Sequence, residues 1–296
     1  MLKYALKAGA ATVGGGIVAA TMAISPAMAG PVAVHGITTQ IVTVSATVDA
    51  NSINQAEATC GSGELLLGGG YTVNGTSTDR QVFIDAPLNS KTWLVEVVNP
   101  DPTAQPLNFT AYAVCAMSVP GKKGVKAYTT QVVTAEIDAP AMQTDEADAT
   151  CPGGELRTGG GYQVANVSQN WSVNVNGPIN GDTWGVEIDN AAPVDTTVDS
   201  FAVCLAKKNS NPITNMQVST VFTPSTVAAN SSQTADVSCG AADLMTGGGY
   251  EIQSIGQDWS IQASAPVSAN DWQVQATDLD TFSRVFDSIA VCLAKA

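Results

Sequence analysis

The chain repeats one pattern three times. Cys60, Cys151 and Cys239 are each followed, at a constant offset, by the tyrosine of a Gly-Gly-Gly-Tyr run: Tyr71, Tyr162 and Tyr250. Beyond each tyrosine, again at a constant offset, stands a tryptophan: Trp93, Trp184 or Trp272. The cysteine of an Ala-Val-Cys triplet closes each copy at nearly the same distance past the tryptophan, at Cys115, Cys204 and Cys292. The steps from Cys60 to Cys151 and on to Cys239 are each the length of a small domain and longer than one turn of a solenoid. The repeat therefore predicts beads on a string, with modules at 38–118, 128–207 and 215–296. The stretches between them, SVPGKKGVKAY and KKNSNPITN, are rich in Pro, Gly, Asn and Lys and predict solvated linkers at 119–127 and 208–214.

Within each copy the apolar period is two, as in half-buried antiparallel strands. Trp93, Val95 and Val97 share one face, as do Trp184, Val186 and Ile188, and Trp272, Val274 and Ala276. Likewise Val82, Ile84 and Ala86 alternate with Gln81, Phe83 and Asp85. Thr/Val-rich runs such as QIVTVSATV precede each first cysteine, and no segment reads as a capped amphipathic helix. The expected fold is all-β: three tandem antiparallel β-sandwich modules, Ig-like or jelly-roll-like in architecture, because two facing sheets cover each other's apolar sides.

The segment from Met1 to Ala29 carries Lys3 and Lys7, a weakly hydrophobic small-residue run and the tripeptide Ala27-Met28-Ala29. It reads as a secretory signal peptide cleaved after Ala29, followed by a short N-terminal segment at 30–37; a retained anchor is the alternative. Without the two leader lysines, ten basic residues face 26 acidic ones. Such a surface repels phosphates and speaks against nucleic acid and anionic lipid as partners, and no membrane insertion is expected once the leader is gone. Lys122, Lys123, Lys126, Lys207 and Lys208, all in or beside the linkers, make up half of that basic charge.

Six cysteines in an exported chain allow fifteen pairings, and the repeat favours Cys60 with Cys115, Cys151 with Cys204, and Cys239 with Cys292. Metal ligation lacks a Cys-x-x-Cys spacing, and His35 is the only histidine in the chain. Closing a loop of about 55 residues stabilises a module by roughly 4 kcal/mol in the chain-entropy estimate. The glycine runs Gly68-Gly69-Gly70, Gly159-Gly160-Gly161 and Gly247-Gly248-Gly249 are followed by strand-like Thr-Val, Gln-Val and Glu-Ile. A phosphate-cradling loop needs a lysine or a helix N-terminus; these runs have neither. They read instead as a structural device that admits a neighbouring backbone, tryptophan or disulfide at close range.

Taken together, the cysteine with its acidic residue four positions on, the GGGY, the strand-ending proline, the tryptophan and the AVC resemble secreted tandem-repeat modules of actinobacterial type. That resemblance spans nearly the whole chain after the leader and implies export, but it brings no activity with it. The Ig fold is only an architectural analogy, because each tryptophan here lies too far beyond its first cysteine, as Trp93 does beyond Cys60.

Polar positions constant among the copies are few. Glu64, Glu155 and Asp243 lie four positions after their cysteines; Asp79, Asn170 and Asp258 lie eight after the tyrosines. The first set reads as carboxylates accepting turn N–H groups, with calcium ligation as the functional alternative. A catalytic triad would have to recruit His35, and a thiol nucleophile would be oxidised outside the cell, so no catalytic residue, metal or cofactor is assigned. Trp171 and Trp259, where the first copy has Arg80, read either as core-edge residues or as platforms for stacking a sugar or protein. These observations lead to the expectation of a secreted, acidic, non-enzymatic structural or adhesive protein of the cell surface or extracellular matrix, meeting a protein or glycan surface and capable of self-association. A lectin-like carbohydrate binder is the alternative, and a secreted hydrolase or inhibitor the weaker one.

Overall fold

The computed structural model describes residues 33–74, 81–165, 170–253 and 259–296. The leader, together with Asp79, Arg80 and Asp258, lies outside the described residues. Among the described residues, eighteen strands follow one another in three sets of six. The first set is β1 (Ile37–Val48), β2 (Ser52–Thr59), β3 (Leu65–Val73), β4 (Gln81–Pro87), β5 (Thr92–Asn99) and β6 (Leu107–Ser118). The second is β7 (Tyr128–Ala139), β8 (Gln143–Thr150), β9 (Leu156–Val164), β10 (Trp171–Pro178), β11 (Thr183–Asn190) and β12 (Thr196–Lys207). The third is β13 (Met216–Val227), β14 (Ser231–Ser238), β15 (Leu244–Ile252), β16 (Trp259–Pro266), β17 (Asp271–Asp278) and β18 (Arg284–Lys295). Among the described residues no helix is long and apolar enough to cross a membrane.

The strands build three antiparallel sheets of six, and each sheet joins two modules. Sheet A runs β1-β6-β3-β16-β17-β14, sheet B runs β7-β12-β9-β4-β5-β2 and sheet C runs β13-β18-β15-β10-β11-β8. Module 1 thus gives half of A and half of B, module 2 half of B and half of C, and module 3 half of C and half of A. The cycle closes on itself through β3 and β16, so the first and last modules are hydrogen-bonded neighbours. This corrects the expectation of separate sandwiches on a string. Within a module the inner strand of each half-sheet continues the neighbour's sheet. Each seam is narrow: Ile84 pairs with Gln163 and Asp85 with Tyr162, and the other two seams repeat these pairs at Val175–Glu251 and Asn176–Tyr250, and at Ala263–Thr72 and Ser264–Tyr71. The six sheet edges meet two by two, with β1 beside β2, β7 beside β8 and β13 beside β14. Exposed edge strands are a hazard for uncontrolled pairing, and this arrangement brings them together at three corners.

All crossings between modules lie at one end of the pseudo-threefold axis, called basal below. There Val34, Val125 and Ile213 insert into a plug with Ile37, Tyr128 and Met216 and with Ala116, Leu205 and Leu293. Val125 and Ile213 come from the stretches expected to be linkers, and they are 4 % and 8 % exposed. The linkers are therefore packed structure and not solvated spacers; Lys122, Lys123 and Lys126 point out from the first of them and Lys208 from the second.

The disulfides are Cys60–Cys115, Cys151–Cys204 and Cys239–Cys292. In each, one cysteine directly follows a strand of one sheet and the other lies within a strand of the next. The three bridges therefore tie B to A, C to B and A to C. Disulfides of this kind persist in oxidising compartments. The buried tryptophans Trp93, Trp184 and Trp272 lie between the same half-sheets, each fully excluded from solvent.

Candidate functional site

Each glycine of the triplet faces a different neighbour. The first residues, Gly68, Gly159 and Gly247, meet at the axis: a Cβ on Gly68 would lie 3.1 Å from the Cα of Gly247, and one on Gly159 would lie 2.8 Å from the Cα of Gly68. The middle residues, Gly69, Gly160 and Gly248, lie against the indoles of Trp93, Trp184 and Trp272, where any Cβ would overlap the ring. The last, Gly70, Gly161 and Gly249, sit under the carbonyls of Ser264, Asp85 and Asn176 of the adjoining module, where a Cβ would overlap the oxygen. Ordinary side chains at any of these places would force apart the axis, the core or the seam.

Just before each triplet the strand bulges, at Leu67, Thr158 and Thr246. The bulge turns that residue toward the axis. Thr158 Oγ1 donates to the Leu67 carbonyl at 2.8 Å, and Thr246 Oγ1 donates to the Thr158 carbonyl at 2.7 Å. Leu67 has no hydroxyl with which to close the ring. Past the glycines, Tyr71, Tyr162 and Tyr250 converge: Tyr162 Oη donates to the Val82 carbonyl at 3.0 Å and Tyr71 Oη to that of Ile261 at 3.4 Å, and the Tyr250 hydroxyl lies within reach of both other hydroxyls. Burial raises the Tyr162 and Tyr250 phenols well above their ordinary range.

Beside the tyrosines stand Asp85, Asn176 and Ser264, equivalent positions that accept the indole N–H of Trp93, Trp184 and Trp272 at 2.8, 2.8 and 3.2 Å. A second bulge, at Phe83 in the first module, reverses the alternation there, so that Asp85 points inward instead of out. Asn176 Nδ2 also donates to Asp85 Oδ2 at 3.3 Å. Burial pushes the Asp85 carboxyl up to about 8, against the opposing pull of its bonds from Trp93 and Asn176. It is therefore neutral at pH 7, a polar link in the core and not a charged group offered to a ligand.

Trp171 and Trp259 are each only 6 % exposed, and Trp171 stacks edge-on against Phe83 of module 1, ring centroids 5.4 Å apart. Burial at a core edge leaves no free ring face for a sugar. Glu64 accepts the Gly61 N–H and Gln40 Nε2, both at 2.7 Å, the turn-bracing role its position implies. Its carboxylate lies near the sulfurs of Cys60 and Cys115, but those sulfurs are bonded to each other. Glu155 accepts Gln131 Nε2 at 2.7 Å.

The outer faces of the sheets carry what differs among the copies. Across the middle of sheet A the register aligns Ser45, Thr110, Thr72, Ala263, Gln275 and Thr234. The equivalent row of sheet B is Glu136, Asp199, Gln163, Ile84, Glu96 and Gln55. In sheet C it is Pro224, Asp287, Glu251, Val175, Glu187 and Glu146. The same row thus bears no carboxylate on A, three on B and four on C. Burial, and after it repulsion from Asp148 and Glu187, raise the Glu146 carboxyl, and burial with repulsion from Asp287 and Glu187 raises that of Glu251. Sequence reasoning missed this grading because it appears only when half-sheets of different modules are set side by side. No family model matches the chain, and no curated protein is significantly similar to it.

Proposed function

We propose that the protein is a secreted, non-enzymatic structural or adhesive component of the cell surface or extracellular matrix. The observation that carries this reading is where the repeated residues go. The glycines, tryptophans, tyrosines and cysteines common to all three modules pack the axis, the cores and the seams, which makes a rigid cross-linked body with three broad faces. The disulfides indicate an oxidising environment, in keeping with export and with cleavage of the leader after Ala29. Each module is read as a two-layer sandwich that shares both layers with its neighbours, in a tandem repeat of actinobacterial type. Broad faces on a stiff frame suit contact with an extended surface better than capture of a small molecule, which calls for a concave site.

The test is localisation of the native protein with an antibody on intact cells, matrix and cleared medium, alongside a hydrolase screen on glycan and peptide substrates. Label on the surface or matrix with no turnover is the expected result. Recovery from the cytosol alone, or turnover that copurifies with the protein, overturns the proposal.

Carbohydrate binding is the second reading, now supported by sheet A and not by Trp171 and Trp259. Its outer face is rich in neutral hydroxyls and amides, including Thr72, Thr110, Gln273 and Gln275, and it contains Tyr112, whose hydroxyl bonds with Thr72 at 3.3 Å. Glycan-array binding abolished by Tyr112→Ala favours this reading; binding unchanged by that substitution removes it.

A further inference from the structure

Charge on this molecule is sorted by place. Lys91, Lys122, Lys123, Lys126, Lys207, Lys208 and Lys295 all lie at the basal end, in the module crossings, in one basal turn or at the last strand's end. Among the described residues both ion pairs belong to Arg284, with Asp278 at 3.5 Å and Asp280 at 2.7 Å; the lysines make none. On sheet C the row of Asp287, Glu251, Glu187 and Glu146 meets no cation of its own. Strands β8, β10, β11, β13 and β15 contain neither Lys nor Arg, and β18 has them only at its two ends, Arg284 and Lys295. Neighbouring strands lie about 4.8 Å apart, so the four carboxylates fall along one line over five adjacent strands. The row lies at mid-height on a sheet face, whereas the lysines crown one end on short, packed tethers. Packing of Val125 and Ile213 into the basal plug fixes those tethers, so the chain's own lysines cannot swing onto its own row.

From this we infer that sheet C is an interface for a second copy of the same chain, whose basal lysines, Lys122, Lys123 and Lys126 foremost, seat against Glu146, Glu187 and Glu251. The occupant is argued from charge complementarity: two sets of opposite sign, both without counter-ions among the described residues, both present on every molecule and unable to meet within one. A contact between an end and a face is heterologous. It uses different patches on the two partners, so it does not close after two copies but propagates as an open chain. Sheet A presents no carboxylate in the equivalent row, so growth does not use that face. This interaction deepens the structural role proposed above and rests on it, since an assembling matrix protein needs a defined contact.

Ionic strength affects this contact in two opposing ways. Each copy is strongly acidic overall, and at about 0.01 M salt, where screening extends over ~30 Å, net repulsion holds copies apart. Near 0.1 M the screening length shrinks to ~10 Å, which mutes the net repulsion and leaves the local contact; at 1 M, with ~3 Å, the contact itself is lost. Association is therefore greatest at intermediate salt.

The experiment is sedimentation velocity of the leaderless chain over a concentration series at these three salt levels, with chelator and with calcium. Two charge-reversed variants go alongside: Lys122→Glu/Lys123→Glu/Lys126→Glu, and Glu146→Lys/Glu187→Lys/Glu251→Lys. The expected result is a wild-type protein whose mean sedimentation coefficient climbs with concentration near 0.1 M salt in chelator, two variants that each stay monomeric, and a mixture of the two that associates again. Near-ultraviolet circular dichroism of each variant verifies its packing. Should a reversed variant misfold, Lys122→Gln/Lys123→Gln in the wild-type background still has to weaken association. A wild type that is monomeric under all conditions, or variants that associate as wild type does, overturns the inference. So does association that needs calcium and vanishes in chelator, which would assign the acidic row to a bridging cation. A monomer that still labels the cell surface refutes this contact and leaves the surface role intact, so the two failures are distinct.

Discussion

At the axis, Gly68, Gly159 and Gly247 are three copies of one position and are identical. On the outer face of the same strands, Thr72, Gln163 and Glu251 are three copies of another and differ in polarity and charge. The contrast separates what the fold demands from what it leaves free. Backbone touches backbone at the axis, so a side chain there has to push that backbone apart. Each outer position meets water, and its side chain is set by something other than packing. Between these extremes lie Asp85, Asn176 and Ser264, which share one duty, accepting an indole N–H, with three different chemical groups. Leu66, Arg157 and Met245 form another intermediate set, all fully buried in equivalent places.

The strongest challenge to this division is a side chain inside the triplet. Gly160→Val would drive its branches into the Trp184 ring and the Phe201 carbonyl, and neither a fully buried indole nor a paired strand can yield. We expect loss of the folded state, read as absent near-ultraviolet circular dichroism and free thiols after expression. Gly153, with nothing within 4 Å of an added Cβ, is the control: Gly153→Ala should leave stability within about 0.5 kcal/mol of the parent, as ordinary surface substitutions do. A folded Gly160→Val protein would mean that the triplet is not the packing device described.

Next in size is the pH dependence set by Asp85. Its folded-state value of about 8 lies above the ordinary 3.8, so between those limits the folded chain holds a proton that the unfolded chain has released. Stability therefore falls as pH rises from about 4 to about 8, by roughly 6 kcal/mol at most for a shift of this size, and levels off above. Asp85→Asn keeps an acceptor for Trp93 and removes the titration; module 2 already uses asparagine at this position. Urea melts of wild type and variant from pH 5 to 9 should diverge, the wild type losing stability relative to the variant as pH rises. Parallel curves would show that the carboxyl is not the source.

Much of the fold was legible in the residues themselves. The period of two and the Thr/Val-rich runs gave away the strands, and the repeat singled out the cysteine pairing that the structure contains. Close approach at the glycines was readable too, since strand-like residues continue beyond them without a cation. What they approach was not. Alternation tells which side of a strand is buried and is silent about which strand lies beside it, and each seam involves just two register pairs. One misreading came from bulges: at Phe83 an extra residue inverts the phase, so Asp85 is buried although strict alternation sets it opposite Val82. A usable signal for the packed linkers was present, because Val34, Val125 and Ile213 stand at one and the same offset before Cys60, Cys151 and Cys239. Composition concealed it, since Pro, Gly and Lys around them read as solvated spacer.

Arg157 sharpens the comparison among modules. Where modules 1 and 3 bury leucine and methionine, module 2 buries a guanidinium that donates Nη2 to the Asn180 carbonyl at 3.1 Å and lies 5.6 Å from the centre of the Trp184 ring. Its Nε and Nη1 hydrogens have no partner, and burial lowers its value to about 10, partly offset by Asp182. A depressed cation loses stability at every pH below that value, so the cost is present under all ordinary conditions. Replacing unsatisfied buried charge by an apolar residue of like volume is often stabilising. Arg157→Met, copying module 3, should raise stability by about 2 kcal/mol, less whatever the indole contact and the Asn180 bond return. Thermal melts at pH 7 measure it, and a lower melting temperature would assign Arg157 a structural duty that its two neighbours lack.

The smallest effect belongs to the outer faces. Glu251 lies beside Asp287 and Glu187, and its raised value means that ionisation is disfavoured in the folded chain. Its contribution to stability is thus greatest at acid pH and declines as pH rises through the carboxylate range. Glu251→Gln should stabilise the monomer above about pH 5 by no more than about 0.5 kcal/mol, because the site is open to water and salt screens it. Thr72→Gln at the matching position of sheet A has no charge to relieve and should be neutral within the same bound, at low pH and high. Denaturant melts of both variants at pH 4 and pH 8, in low and high salt, separate the two cases. If the Thr72 substitution shifts stability as much as the Glu251 one, the carboxylates of sheet C are not in mutual strain, and the acidic row is then as neutral to the fold as the hydroxyl row it replaces.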